Sequence, residues 1–182
     1  MSFFFVIMSS AQVLLTKGLT MIRPATRQDA QALADIYNHY IENSTATFEE
    51  EPVTASNMIE RINKVNNANL PWLVITVDNK IIGYAYATPW KERSAYRYSV
   101  EATVYLAPKV QGKGLGTELY QALFTELKQK SIHSIIGGIT LPNPASIALH
   151  EKLGMVQVAH FHQIGRKFEQ WLDTGYWQLT LD

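Results

Sequence analysis

Cysteine is absent from the 182-residue chain, so disulfides, thiolate metal sites and a cysteinyl acyl-enzyme are all excluded. An excess of either charge is missing too, since 16 Lys and Arg balance 16 Asp and Glu. No global field therefore draws the protein to nucleic acid or to an anionic membrane, and neither is expected as a partner. Long apolar runs are lacking. The one targeting candidate, Ser2-Phe3-Phe4-Phe5-Val6-Ile7-Met8, falls far below the roughly 20 residues of a spanning helix. It also has no positive n-region, because the first lysine is Lys17, and a secretory signal needs one. Residues 1–20 are expected to be an N-terminal extension that packs on the domain or on a partner subunit, and a cytoplasmic location is expected. Repeats, low-complexity tracts and linkers are also lacking. Residues 21–182 should therefore form one domain, with a core drawn from the 47% of residues that are hydrophobic.

What is present alternates between strand and helix. Thr20 to Arg23 reads as a short strand, and Thr26-x-x-Asp29 as a capping-box start for a helix burying Ala30, Leu33, Ala34, Tyr37, Tyr40 and Ile41. A second helix follows Thr54, with Met58, Ile59, Ile62 and Val65 inward. Trp72 to Val77 and Ile81 to Thr88 read as a hairpin around Asp78-Asn79-Lys80, and Ser99 to Leu106 as a third long strand. A helix burying Leu115, Leu119, Leu123 and Leu127 comes next, then a strand from Ser134 to Leu141. Asn143-Pro144 supplies an N-cap and first turn for a helix ending at Gly154. Met155 to Gly165 and Tyr176 to Leu181 read as closing strands. Hairpin and crossovers together predict an α/β fold with a mixed sheet.

Gln111-Gly112-Lys113-Gly114-Leu115-Gly116 lies between a strand and a helix. Glycines there leave N–H groups bare at the positive end of the helix, a cradle suited to pyrophosphate. The spacing fits neither the nucleotide-triphosphate loop nor the dinucleotide fingerprint. Taken alone, these six residues read equally well as a plain glycine-rich turn.

About thirty residues further on stands Asn143-Pro144-Ala145-Ser146-Ile147-Ala148-Leu149-His150-Glu151-Lys152-Leu153-Gly154. The two motifs, in this order, resemble those of the GCN5-related N-acetyltransferases (the GNAT superfamily), and the resemblance runs from about Ile22 to the C-terminus. Asn38-His39-Tyr40-Ile41-Glu42, Pro71-Trp72-Leu73-Val74, Trp90-Lys91-x-Arg93-x-Ala95-Tyr96 and Glu101-x-Thr103-Val104-Tyr105 are similar to the phosphinothricin and methionine sulfoximine acetyltransferase branch.

The resemblance implies a GNAT fold, with a mixed central sheet, about four helices and a splayed cleft. It also implies acetyl-CoA as acetyl donor, a small-molecule amine acceptor, no metal and a homodimer. Pantetheine would lie along Val104, Tyr105 and Leu106. Gln111, Gly112, Lys113, Gly114, Leu115, Gly116 and Thr117 would hold the pyrophosphate, with Asn143 and Ser146 also on the donor side. Lys113 and Lys109 are either phosphate partners or solvated surface charges. Lys91, Glu92 and Arg93, together with Glu101, would meet the acceptor.

An attacking amine must be neutral, so a base is required. Glu101 is the candidate, set in an otherwise apolar strand where desolvation would raise its pKa. The competing reading is a structural carboxylate paired with a neighbouring Arg or Tyr. His150 stands where most of the superfamily carries Tyr, and the phosphinothricin branch has His there. It is either the acid for the departing thiolate or an ordinary hydrogen-bonded histidine. His39, His133, His160 and His162 show no ligand spacing, and strand alternation accounts for His160-x-His162 without a metal.

Trp72, Trp90, Tyr96 and the loop Thr45-Ala46-Thr47-Phe48 suggest a closed aromatic pocket for a small acceptor, although strand tryptophans are commonly core. Rival functions are a non-enzymatic acetyl-CoA sensor and an acetyltransferase for protein N-termini, lysines or polyamines. Phe168, Trp171, Tyr176 and Trp177 are expected either at the dimer contact or in the domain's own core.

Overall fold

A computed structural model of the chain describes residues 19–181. The apolar N-terminal stretch lies outside the described residues. A seven-stranded sheet in the order β1-β2-β3-β4-β5-β7-β6 carries four α-helices. The strands are β1 (Thr20–Pro24), β2 (Trp72–Val77), β3 (Lys80–Pro89), β4 (Ser99–Leu106), β5 (Ser134–Leu141), β6 (Val156–Lys167) and β7 (Gln170–Thr180). The helices are α1 (Ala30–Asn43), α2 (Ala55–Asn67), α3 (Leu115–Gln129) and α4 (Pro144–Lys152). The sheet is mixed, as the sequence predicts: β4 and β5 run parallel and the other neighbours antiparallel.

Local chemistry explains most boundaries. Thr26 and Asp29 form the expected capping box, which opens a short 3₁₀ turn before α1. The Asp29 carboxylate also takes both ends of the Arg23 guanidinium, at 2.7 and 2.8 Å. That bidentate pair ties β1 to α1 and holds the buried carboxyl below its usual pKa. Thr54 caps α2 in a second box with Asn57. Asp78 and Asn79 turn β2 into β3 with φ of 50° and 64°, the left-handed pair that a tight hairpin requires and that these residues tolerate.

Strand alternation gives the sheet two unlike faces. Trp72, Tyr84, Tyr86, Thr103 and Tyr105 share one face by register. There Trp72 stacks on Tyr86 with 4.2 Å between ring centroids, and Tyr37 of α1 meets Tyr105 edge-on at 5.1 Å. On the other face Ala85, Ala87 and Ala102 keep the surface low, so α3 packs closely through Leu119, Leu123 and Leu127. Leu115, expected in that buried row, is only partly covered, and Tyr120 and Phe124 complete it.

The C-terminal hairpin departs from the expectation. β6 and β7 run to Lys167 and from Gln170, well beyond the predicted Gly165 and Tyr176. Their turn is Phe168-Glu169, with φ of 50° and 60°. Neither residue favours the left-handed region, so the sequence there carries no turn signal. The four aromatic residues grouped as one tail separate. Trp177 is buried in the core and Tyr176 faces Glu101, while Phe168 and Trp171 stay exposed.

Candidate active site

β4 and β5 pair only over Ser99–Glu101 with Ser134–Ile136, then part. From Ala102 onward the free edge of β4 and from Gly137 onward that of β5 border a wedge closed by α3 and α4. The wedge is a cavity of about 490 Å³. Ala102 to Leu106 form one wall, Gly138, Ile139 and Thr140 the other, and Ser146, Leu149 and His150 of α4 the far side. Of the donor-side residues inferred from the sequence, Val104, Tyr105, Leu106, Gln111, Gly112, Gly114, Gly116, Thr117, Asn143 and Ser146 line this cavity. Lys113 and Leu115 do not.

The glycine turn forms one end. Gly112 and Gly114 have φ of 74° and 82°, a conformation that glycine reaches at little cost. Thr117 and Glu118 turn their N–H groups back to the Gly114 carbonyl. The amides of Gly112 to Gly116 donate to no described residue, so they remain available at the N-terminus of α3. A Cβ at Gly114 would meet nothing within 4 Å and would project into open space. Tyr40, expected on the inward face of α1, also anchors the turn. Its hydroxyl donates to the Leu106 carbonyl and accepts from Gln111 Nε2 at 2.9 Å. The Gln111 side chain is thereby committed to bracing the turn. Asn143 is likewise occupied: its side-chain oxygen caps α4 by accepting from Ser146 N at 3.1 Å.

Glu101 and His150 flank the point of parting from opposite faces of the sheet. Glu101 lies on the aromatic face, where burial raises its carboxyl pKa and the positive charge of Lys91 partly opposes that rise. It accepts no hydrogen bond from a described residue, so the pairing with Arg or Tyr weighed from sequence does not occur. A Cβ built on Gly138 would stand 3.1 Å from Glu101 Oε1 and 3.2 Å from Tyr176 Cε1. Glycine there leaves the carboxylate room beside Tyr176, and Glu101, unlike His150, is not among the residues that line the wedge. The neighbouring Gly137 faces the other way, and a Cβ on it would overlap the His150 ring. Sequence reading missed this Gly-Gly pair because its signal is contact across the sheet, not spacing along the chain.

His150 is buried. Its Nδ1 lies 2.8 Å from the Ser146 carbonyl, an acceptor, so Nδ1 carries the hydrogen and Nε2 the lone pair. Nε2 faces the Tyr120 hydroxyl at 3.4 Å, and that hydroxyl donates to the Ala102 carbonyl at 3.1 Å. Burial lowers the His150 pKa against the opposing pull of the Ser146 carbonyl. The imidazole therefore rests neutral, and once protonated it gives the proton up readily.

Trp90, just after β3, stands edge-on to Tyr176 at 5.7 Å, with Lys91 Nζ 4.7 Å from the centre of its ring; Trp90 does not line the wedge. Lys91, Glu92 and Arg93 are exposed in the connection from β3 to β4 and do not line the wedge. Trp72 does not line it either, because its ring is spent in the aromatic stack. Ala46 alone of the predicted loop does so.

A family model described as the acetyltransferase (GNAT) family matches residues 33–155. The chain belongs to that family. It is 42% identical over 157 residues to a phosphinothricin N-acetyltransferase of Streptomyces viridochromogenes, covering 86% of this chain and 85% of that protein. An L-methionine sulfoximine/L-methionine sulfone acetyltransferase of Salmonella typhimurium is 36% identical, with 88% and 94% covered. The solved structure of a GNAT phosphinothricin acetyltransferase from Sinorhizobium meliloti in complex with AcCoA superposes with a TM-score of 0.86 at 33% identity. It covers 89% of this chain and 88% of that one. As a GNAT acetyltransferase the chain has the expected fold, a mixed sheet parted between two parallel strands.

Proposed function

We propose that this acetyltransferase moves an acetyl group from acetyl-CoA to the α-amine of a small amino-acid-like acceptor of the phosphinothricin or methionine sulfoximine type, and that it works as a homodimer. The observation that carries the reading is Glu101. It is an unpaired carboxylate with a raised pKa, set where the sheet parts and beside an aromatic wall.

The acetyl donor supplies an activated thioester. The bare amides from Gly112 to Gly116 suit its pyrophosphate, and the edge of β4 at Val104 and Tyr105, which β5 leaves unpaired, offers backbone groups to an extended pantetheine, the Leu106 carbonyl being taken by Tyr40. Glu101 takes the proton of the acceptor ammonium and so frees its lone pair for direct attack. With no cysteine in the chain, the transfer needs no covalent enzyme intermediate, and both substrates are held together. After attack the amine nitrogen still carries one proton too many; we infer that this second proton neutralises the departing thiolate, and that His150, across the parting with its Nε2 lone pair free, relays it.

Arg93 has a side chain with no described partner, and its planar fork suits a carboxylate or phosphinate. Arg93→Ala should raise the Michaelis constant for an acid-bearing acceptor several-fold and leave that for acetyl-CoA nearly unchanged. The deciding experiment is a thiol-release assay with acetyl-CoA across amino-acid analogues, polyamines and peptide N-termini. Turnover best with phosphinothricin or methionine sulfoximine supports the proposal. Far better turnover with polyamines or peptide N-termini would move the assignment to another amine class within the same family.

A further inference from the structure

Away from the wedge, three donor groups converge on the C-terminal hairpin. His160 and His162 lie two apart on β6, so their side chains leave the same face. Asp173 stands across on β7, one residue from the partners of that stretch. Its Oδ2 lies 2.7 Å from His160 Nε2 and 3.0 Å from His162 Nδ1, and the two imidazole rings are 4.3 Å apart. All three ligand atoms fall within 4.8 Å of one another. The register of β6 against β7 is broken between Phe161 and Gly165, and Gln163 within that bulge has a φ of 49°. This bent backbone aims the Gln163 N–H at Asp173 Oδ1, at 2.8 Å, and leaves Oδ2 turned towards both histidines.

We propose that His160, His162 and Asp173 form a binding site for a late first-row divalent cation, Zn²⁺ or Ni²⁺. Two neutral imidazoles and one carboxylate are a donor set suited to these ions, and imidazole disfavours Mg²⁺ and Ca²⁺. Tetrahedral coordination with bonds of about 2.1 Å needs ligand atoms about 3.4 Å apart. The two Asp173 contacts, at 2.7 and 3.0 Å, therefore need open by about 0.4 to 0.7 Å, within reach of side-chain rotation at the two exposed histidines. The Gln163 amide supplies the outer hydrogen bond that ligating carboxylates commonly have. Three protein donors leave further coordination positions to water or to a ligand from a partner.

By register His160 faces the same way as Gly175 and Trp177, opposite to Tyr176 and Glu101. The site thus lies on the face opposite Glu101, and its assignment does not rest on the acetyl-transfer reading.

The test is calorimetric titration of untagged, chelator-treated protein with ZnCl₂, paralleled by Co²⁺ absorption spectra. One saturable site per chain is expected, with visible cobalt bands of imidazole–carboxylate ligation. His162→Ala and Asp173→Asn should each weaken Zn²⁺ binding by at least about tenfold. His133→Ala, at an exposed histidine elsewhere, should leave it unchanged. Retained acetyl-CoA affinity in every variant shows that the fold is intact. Absence of saturable Zn²⁺ binding, or binding that persists in a His160→Ala, His162→Ala double variant, would overturn the proposal and leave the cluster as a hydrogen-bonded clasp.

Discussion

At the scale of the residue, Glu101 joins stability to activity through one cause. Its carboxyl is pushed up by burial, with Lys91 pulling the other way. A carboxyl whose folded pKa exceeds its unfolded one contributes stability below the unfolded value and loses that contribution as pH rises through the folded value. At neutral pH the ionised carboxylate is therefore held at a cost to the fold. Glu101→Gln should remove that cost and raise the melting temperature at neutral pH, while turnover falls by roughly 10²–10⁴-fold, the usual worth of a positioned base. Thermal melts and initial rates on the same preparation check both halves, and a stable variant with normal turnover would return Glu101 to a structural role. Lys91→Met addresses the same group from outside. Removing the positive charge that favours ionisation should move the acidic limb of the acceptor's kcat/KM profile to higher pH. An unmoved limb would separate Lys91 from the base.

At the scale of the element, two turns of opposite legibility decide the site. The turn at the start of α3 is legible because Gly112 and Gly114 occupy positive φ and the sequence supplies glycine at both. Gly114→Val should cost about 1–2 kcal/mol in backbone strain, the usual penalty for an L residue in the left-handed region. It should also set a side chain at the mouth of the amide cradle. We expect acetyl-CoA affinity to fall by at least about tenfold, since a charge-assisted anion contact is worth about 1.5–3 kcal/mol. Calorimetry on a variant with unchanged circular dichroism is the measurement. The turn between β6 and β7 is silent by contrast, because Phe168 and Glu169 hold left-handed φ with no residue that prefers it. The long paired strands impose that conformation. Asp173 comes to lie beside His160 and His162 for the same reason, which no reading of β6 alone could reveal.

At the scale of the whole molecule, β6 is an edge strand, and it and the neighbouring turn and β7 present Val156, Val158, Phe161, Ile164, Phe168 and Trp171 to solvent. Unpaired strand edges and exposed apolar side chains are natural contact surfaces. The proposed dimer predicts a light-scattering mass near twice the 20.6 kDa of one chain. Trp171→Asp, at a side chain 61% exposed, should shift that mass towards the monomer without unfolding the domain. A wild-type mass of one chain would remove the dimer from the proposal.

The sequence by itself determined whatever depends on near neighbours: the caps at Thr26 and Asn143, the helix start after Thr54, the turn at Asp78-Asn79, the glycine-rich turn before α3, and the strand bounds of β2, β4 and β5. Each is a backbone demand met by a residue within a few positions, so it survives without a fold. It also placed Glu101 and His150 as candidates, through chemistry and family resemblance. The tertiary structure alone decided their setting. It showed Glu101 unpaired, His150 tautomer-fixed by Ser146 and seated on Gly137, Tyr40 and Gln111 bracing the cradle, and Trp72 spent in the core. These facts arise where strands distant in sequence part or pair, and burial and contact across a sheet leave no periodic trace in the chain.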